Sequence, residues 1–332
     1  MIAPEWMLRG SSLKEILMKI VILDGHALNP GDLSWNQFQP YGTIEYYDRT
    51  ESEAQTIQRI GDAQIVLLNK TPITETVLAA CPSVKLICVL ATGYNVVDCN
   101  AAAKRNIPVC NVPGYGTNAV AQFTFALLLE LCHQIGLHSS SVHGGEWTVC
   151  PDFCYWKTPQ MELYGKTIGI IGYGSIGRAV AKIAEAFGMN VLAYSRTHYE
   201  GTEYTDLTTL LACSDVISLH CPLFPETKGI INAETIAQMK NGAILLNTSR
   251  GPLIDEAAVA DALKSRKLRG AAMDVVCSEP IPADSPLLTA PNCIITPHMA
   301  WAPVEARQRI LNITEDSIKA FLSGDAKNVV NL

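Results

Sequence analysis

Short apolar runs alternate with amphipathic stretches along most of the chain. In the first third, the runs KIVILDG (19–25), AQIVLLN (63–69), VKLICVLATG (84–93) and IPVCN (107–111) read as strands, and a helix over about 51–60 precedes the second. A 3.6-residue period then predicts a long helix from about 117 to 136. A second series opens with the strand KTIGIIG (166–172). It is followed by a helix over 175–188 carrying Ile176, Val180, Ile183, Ala184 and Phe187 on one face. Further strands are NVLAYS (190–195), DVISLHC (215–221), GAILLNT (242–248), RGAAMDVV (269–276) and CIITPH (293–298). Helices near 206–213, 233–240 and 255–265 separate them, and a last helix covers about 303–323. Strands alternating with helices predict parallel sheets in α/β layers.

Two such series make two doubly wound domains, Rossmann-like or flavodoxin-like, rather than one. Gly/Pro punctuation at NVPGYGT and TPHMAWAP marks where the chain enters and leaves the second. The last helix has no strand after it, so it is expected to pack back on the first domain. The expected division is 18–116 with 300–332 for the first domain and 117–299 for the inserted one. Residues 1–17 lack clean periodicity, and MKIVILDG at Met18 starts like a first strand. They read as an extension ahead of a start at Met18, with Lys14–Ile16 compatible with a translated ribosome-binding site. An intact native mass beginning at Met1 would end that reading.

Composition narrows the partners. The 332 residues carry a formal net charge of -7, with 48% hydrophobic and 17% charged residues. An acidic chain is a poor match for a phosphate backbone, so nucleic acid is not expected. The most apolar run, AVAQFTFALLLELC (119–132), is interrupted by Gln122, Thr124 and Glu130 and reads as a core helix, not a membrane span. The 11 cysteines include no CxxC pair, and Cys150 with Cys154 makes a poor zinc signature, so no metal is expected. Reduced, mostly buried thiols in a cytoplasmic protein are the expected setting.

The chemistry begins at GIIGYGSIGRA. Gly172, Gly174 and Gly177 form G-x-G-x-x-G between a strand and an amphipathic helix, the context that makes this pattern specific for a dinucleotide. Gly172 makes the tight turn, Gly174 lets the backbone approach a pyrophosphate, and Gly177 lets the helix sit close to the sheet. The helix N-terminus near Ser175 and Ile176 then faces the phosphates. About twenty residues on, an acid commonly binds the ribose of NAD. Here the position holds Ser195, Arg196 and Thr197, with no carboxylate until Glu200. A guanidinium and two hydroxyls suit a 2′-phosphate, which favours NADP(H) over NAD(H). The alternative is an arginine in solvent with NAD still used.

Several segments resemble the D-isomer-specific 2-hydroxyacid dehydrogenase family. They are ELYGKTIGIIGYGSIGRAVA, SLHCPLFPETKGIIN, MKNGAILLNTSRGPLIDE, GAAMDVVCSEP and TPHMAWAP. The resemblance covers nearly the whole chain from Met18. ATGYNVVD, GTNAVAQFTFALLLEL and EWTVCPDFCYW look most like the glycerate dehydrogenase, or hydroxypyruvate reductase, branch, and Gln122 in place of a common glutamate fits that branch. The resemblance implies a reversible, NAD(P)H-dependent reduction of a small 2-keto acid to the D-2-hydroxy acid, most simply hydroxypyruvate to D-glycerate and glyoxylate to glycolate. It makes 18–116 with 300–332 the substrate-binding domain and 117–299 the nucleotide-binding one.

It also implies roles. Arg250 in NTSRG would hold the carboxylate and polarise the keto oxygen, a task suited to a planar fork. His298 in TPHMAW would exchange the proton, and Glu279 in CSEP would orient it and stabilise the imidazolium. In isolation these three read as a surface ion-pair arginine, a turn histidine and a solvated loop glutamate; their joint occurrence in matching motifs lifts the catalytic reading. The amides around Thr92 and Gly93 would receive the substrate carboxylate, with a plain strand-end turn as the alternative. Thr248, Asp274 and Ala300 would surround the nicotinamide, with Asp274 on its carboxamide, and Cys221, Pro222 and Thr227 would line the cofactor. Thr117 reads equally as a nicotinamide neighbour or a helix N-cap. Trp301 reads equally as a wall of the substrate pocket or a core tryptophan at the hinge. The aromatic stretch 147–156 implies a homodimer. Rival readings are a broader 2-keto acid reductase, a phosphoglycerate dehydrogenase, and, in another class, a nucleotide-sensing regulatory protein without turnover.

Overall fold

The computed structural model describes residues 18–331 and divides into two compact units. The proposed extension, residues 1–17, lies outside the described residues. One unit holds the described residues up to Tyr115 and those from Ala302 onward; the other is Gly116–Trp301.

The first unit runs β1 (Met18–Ile22), β2 (Gly42–Tyr46), α1 (Glu53–Ile60), β3 (Ile65–Leu68), α2 (Glu75–Ala80), β4 (Leu86–Val89), α3 (Cys99–Lys104) and β5 (Val109–Cys110). The sheet order is β2-β1-β3-β4-β5, and every pairing is parallel. Central strands β3 (IVLL) and β4 (LICV) are buried at every position. Each such side chain contributes about 1.5–3 kcal/mol by leaving water. Strand β2, GTIEY, is a strand that the apolar-run reading does not include. It is an edge strand paired only with β1, so its outer positions stay polar. Helices α2 and α3, also outside that reading, are one and a half turns long. They are marked instead by their caps: Thr74 Oγ1 accepts from Val77 N, and Asp98 Oδ1 from Ala101 N.

The second unit runs α4 (Thr117–His133), α5 (Ile135–His143), β6 (Thr167–Ile171), α6 (Ser175–Ala186), β7 (Asn190–Tyr194), α7 (Leu207–Cys213), β8 (Val216–Leu219), α8 (Ala233–Gln238), β9 (Ala243–Asn247), α9 (Glu256–Lys264), β10 (Leu268–Met273) and β11 (Cys293–Ile295). Its sheet, β11-β10-β9-β8-β6-β7, is wholly parallel. The order reverses between β6 and β8, the place where doubly wound sheets bind ligands beyond their carboxyl ends. The helix expected over 117–136 stops at His133. Gln134 takes a left-handed conformation, φ 45°, and α5 leaves at 57°. Among the described residues no single helix is long and apolar enough to cross a membrane.

The last helix, α10 (Val304–Leu322), belongs to the first unit. Arg307 grips Asp32 with two donors, at 2.7 and 2.5 Å, and donates a third hydrogen bond to Leu28 O. The chain crosses between units after Tyr115 and again after Trp301, one residue earlier and two residues later than the punctuation suggested. The second shift has a cause. Ala300 N donates to Asp274, and Trp301 Nε1 donates to His298 O, so both residues stay with the second unit.

Candidate active site

The glycine loop joins β6 to α6, and each glycine meets a different obstacle. Gly172 has φ 96°, and a Cβ there would lie 2.3 Å from Cys221 N. A Cβ on Gly177 would lie 2.3 Å from Gly172 O, so the helix can rest on the turn only without one. Around Gly174 a Cβ would meet nothing within 4 Å, which leaves open space beside the backbone. No side chain caps α6, so the first amides, from Ser175 and Ile176 onward, face that space unsatisfied by a cap. Open space, uncapped amides and a helix dipole fit a pyrophosphate.

Three adjacent strand ends carry the residues expected for the chemistry. Arg250 follows β9, Glu279 follows β10, and His298 follows β11, all at the carboxyl edge. Glu279 Oε2 lies 2.7 Å from His298 Nδ1, and its other oxygen accepts from Val276 N. A carboxylate only accepts, so Nδ1 carries the hydrogen and Nε2 is left to face outward. His298 itself adopts φ 52°, a left-handed conformation that histidine tolerates better than most residues. Its amide donates to Asp274 O at 2.8 Å. Glu256, not singled out in the sequence, fixes the loop from below: its carboxylate accepts from Cys277 N at 2.7 Å. Arg250 is exposed, with Nη1 on Ser249 O and no carboxylate within ion-pair distance among the described residues.

Asp274 does more than the sequence suggested. It is 1% exposed, and its carboxylate accepts from Thr296 Oγ1, Met299 N and Ala300 N at 2.6–2.9 Å. It therefore organises the 296–300 turn that carries His298. Thr248 is buried and its hydroxyl lies 3.1 Å from that of Thr124 on α4. Thr124 gives its own proton to Val120 O, so Thr248 donates and keeps lone pairs free. Thr124 lies within the segment GTNAVAQFTFALLLEL, but sequence reading assigns it no role. Trp301 is half-buried, with Nε1 on His298 O.

Past β7, Thr197 N donates to Ser195 Oγ at 3.4 Å, and the exposed Arg196 lies over the Phe224 ring at 4.8 Å. No acid pairs with Arg196 among the described residues. Arg178, on α6, lies over Tyr199 in the same loop at 3.9 Å. Thr227 Oγ1 accepts from Phe224 N and donates to Pro222 O, so it shapes its own loop rather than standing free. Cys221 is buried, and burial pushes its thiol up to about 11. Burial pushes neighbouring His220 down to about 3, so it is neutral, and its Nε2 shares a 2.8 Å hydrogen bond with Ser218 Oγ. Neither is a reactive group.

In the first unit, Thr92 and Gly93 form the turn beyond β4. Thr92 Oγ1 donates to Val112 O, and Asn111 Nδ2 donates to Thr92 O. The turn is thereby fixed, and its amides are the donors it offers. Thr117 is the first residue of α4 and not its cap, which is Gly116. Among the described residues no group of three His, Cys, Asp or Glu side chains is placed to hold a metal.

A glycine loop at the switch point and an Arg, Glu, His set on the neighbouring strand ends define a nicotinamide-dependent dehydrogenase. The model of the D-isomer specific 2-hydroxyacid dehydrogenase NAD binding domain matches residues 125–300. A hydroxypyruvate reductase from Blautia hydrogenotrophica is 54% identical over 321 residues, covering 95% of this chain and 100% of the relative. A glycerate dehydrogenase from Methylorubrum extorquens is 41% identical, covering 94% and 98%. The structure of an acyclic imino acid reductase with NADPH and D-Arg superposes with a TM-score of 0.81 at 33% identity, covering 94% and 100%. The chain belongs to the D-isomer specific 2-hydroxyacid dehydrogenase family and is an oxidoreductase acting on CH–OH donors.

Proposed function

We propose that this chain reduces hydroxypyruvate to D-glycerate, and glyoxylate to glycolate, with NADPH preferred to NADH. The observation that carries the reading is the 2.7 Å His298–Glu279 pair, one strand over from an arginine with no acidic partner. The relatives named for hydroxypyruvate and glycerate support the substrate. Arg250 orients the 2-keto acid through its carboxylate and polarises the keto oxygen. In the first unit, the amides at Thr92 and Gly93 are donors suited to a substrate carboxylate. His298 Nε2 gives its proton to the keto oxygen, and Glu279 steadies the imidazolium before transfer. Gly172, Gly174, Ser175, Ile176 and Gly177 hold the pyrophosphate, while Thr248, Asp274 and Ala300 face the nicotinamide, Asp274 with the lone pair its loop leaves free. The bound reduced nicotinamide supplies the hydride.

The cofactor preference rests on Ser195, Arg196 and Thr197. Stacking on Phe224 holds the Arg196 guanidinium in place without neutralising it. A carboxylate in this position would repel a 2′-phosphate; a guanidinium attracts it. Loss of 340 nm absorbance with hydroxypyruvate is expected to give a kcat/KM at least tenfold higher with NADPH than with NADH. Arg196→Asp is expected to reverse that order. A strong NADH preference, or an Arg196→Asp change without effect on NADPH, overturns the cofactor assignment. No turnover with any small 2-keto acid overturns the reaction and favours a nucleotide-sensing protein.

The segment after α5 supports a homodimer. Trp147, Phe153 and Trp156 are 50%, 89% and 69% exposed. The segment that carries them is tied down by hydrogen bonds: Trp147 Nε1 donates to Phe153 O, Tyr155 OH meets Ser141 Oγ, and Lys157 N donates to His138 Nε2. A cluster of exposed aromatic rings suits a second copy. Sedimentation at twice the chain mass is expected, and Trp156→Glu should shift it to the monomer.

A further inference from the structure

We infer that Lys70 is a specificity-determining residue that donates to the C3 oxygen of the substrate; this rests on the reaction proposed above. Lys70 lies two residues beyond β3, and Thr92 lies three beyond β4, its parallel neighbour in register Leu68↔Val89. Both therefore stand on the same carboxyl edge, one strand apart. That spacing is about 4.8 Å, of the order of the separation between the carboxylate and the C3 oxygen of a three-carbon acid.

The backbone under Lys70 is unusually fixed. Asp24 Oδ1 accepts from Asn69 N at 2.7 Å, and Asp24 Oδ2 accepts from Lys70 N at 2.6 Å and Thr71 N at 2.8 Å. From the other side, Asn69 Nδ2 donates to Leu90 O at 3.1 Å, tying this corner to the strand that leads into the Thr92–Gly93 turn. The nearby acid is thus spent on three amides rather than on the lysine. The ammonium is exposed, and among the described residues no carboxylate lies within ion-pair distance of it. The buried Thr71 hydroxyl beside it also has no hydrogen-bond partner there.

A strand end pinned by a carboxylate, presenting a cation that the fold itself does not use, is a donor held for something outside the chain. With the carboxylate on the Thr92–Gly93 amides, the atom one strand over is the C3 substituent. In hydroxypyruvate that is a hydroxyl, and an ammonium is a strong donor to it. In pyruvate it is a methyl hydrogen, and in glyoxylate the carbon is missing, so neither gains from Lys70.

The test compares kcat/KM for hydroxypyruvate, pyruvate and glyoxylate with NADPH, using the full chain and its Lys70→Met and Lys70→Arg variants. A hydrogen bond from a charged donor predicts that Lys70→Met lowers the hydroxypyruvate-to-pyruvate ratio about ten- to a hundredfold. Lys70→Arg, which keeps a cation, should recover a large part of it. NADPH affinity and melting temperature report that both variants fold. An active wild-type chain whose ratio is unmoved by Lys70→Met, or whose three substrates fall together, overturns the role of Lys70 alone. A wild-type chain inactive on all three overturns the reaction, and this role with it.

Discussion

Replacing His298 with glutamine is expected to lower kcat for 2-keto acid reduction about 10³-fold, within the 10²–10⁴ range of a lost general acid, and to change NADPH affinity less than about threefold. The geometry explains both halves. Nδ1 is held by Glu279, which leaves Nε2 as the only ring atom able to deliver a proton. Glutamine offers an amide in the same space with no proton to give at neutral pH. The cofactor is assigned to the glycine loop and to Thr248, Asp274 and Ala300, none of which changes. One backbone effect must be separated: His298 holds φ 52°, which glutamine tolerates less readily. His298→Asn, which accepts the left-handed conformation, should lose turnover equally. Glu279→Gln should cost less than either, because the imidazole stays while its orienting charge goes. Steady-state kinetics at 340 nm and fluorescence titration with NADPH measure the two quantities. Near-normal turnover in both His298 variants would remove the histidine from the mechanism.

The pattern of apolar runs anticipates the central strands because burial on both faces leaves them no exposed positions and few polar ones: β3, β4, β8 and β9 are buried throughout, with Ser218 and Asn247 their polar residues. It fails at β2, where an edge strand keeps Thr43 and Glu45 among its five residues. It fails again at Gln134, where a single left-handed residue splits a helix whose sequence reads as continuous. The positions proposed as catalytic, Arg250, Glu279 and His298, stand out in the sequence because they sit in distinctive motifs. Their supports do not. Glu256 under Cys277, Thr124 beside Thr248 and Asp24 under Lys70 lie about 20 to 120 residues away in sequence, and although Glu256 and Thr124 fall inside the family-like segments, nothing local pairs them with the residues they hold. Asp274 stood out through the family resemblance, inside the expected strand 269–276, but its bonds to Thr296, Met299 and Ala300 emerge only when β10 and β11 pair. The stacking of Arg196 on Phe224 likewise needs two loops brought together from different crossovers.

Arg250→Lys is expected to lower kcat/KM for hydroxypyruvate about 10²–10³-fold, the cost typical of losing a donor to a developing oxyanion. Unlike the His298 variants, it should also raise KM. Its backbone leaves little room for compensation. Asn247 Nδ2 donates to Arg250 O and Asn247 Oδ1 accepts from Ser249 N, while Ser249 Oγ donates to Cys221 O. On the other side a Cβ on Gly251 would lie 2.0 Å from Val276 O, so the turn is pressed against the loop that leads to Glu279. A lysine placed there keeps the charge but has no planar fork, and it cannot hold a carboxylate and a keto oxygen at once. NADPH affinity should stay within about threefold, since no cofactor role is assigned to this side chain. Unchanged KM with near-normal kcat would show that the carboxylate is held elsewhere. The double variant with His298→Gln sharpens the point. If arginine and histidine act on the same keto oxygen, the second substitution removes stabilisation that the first has already lost, and the combined cost falls well short of the product of the two. Independent, multiplying losses would instead place Arg250 on the carboxylate alone.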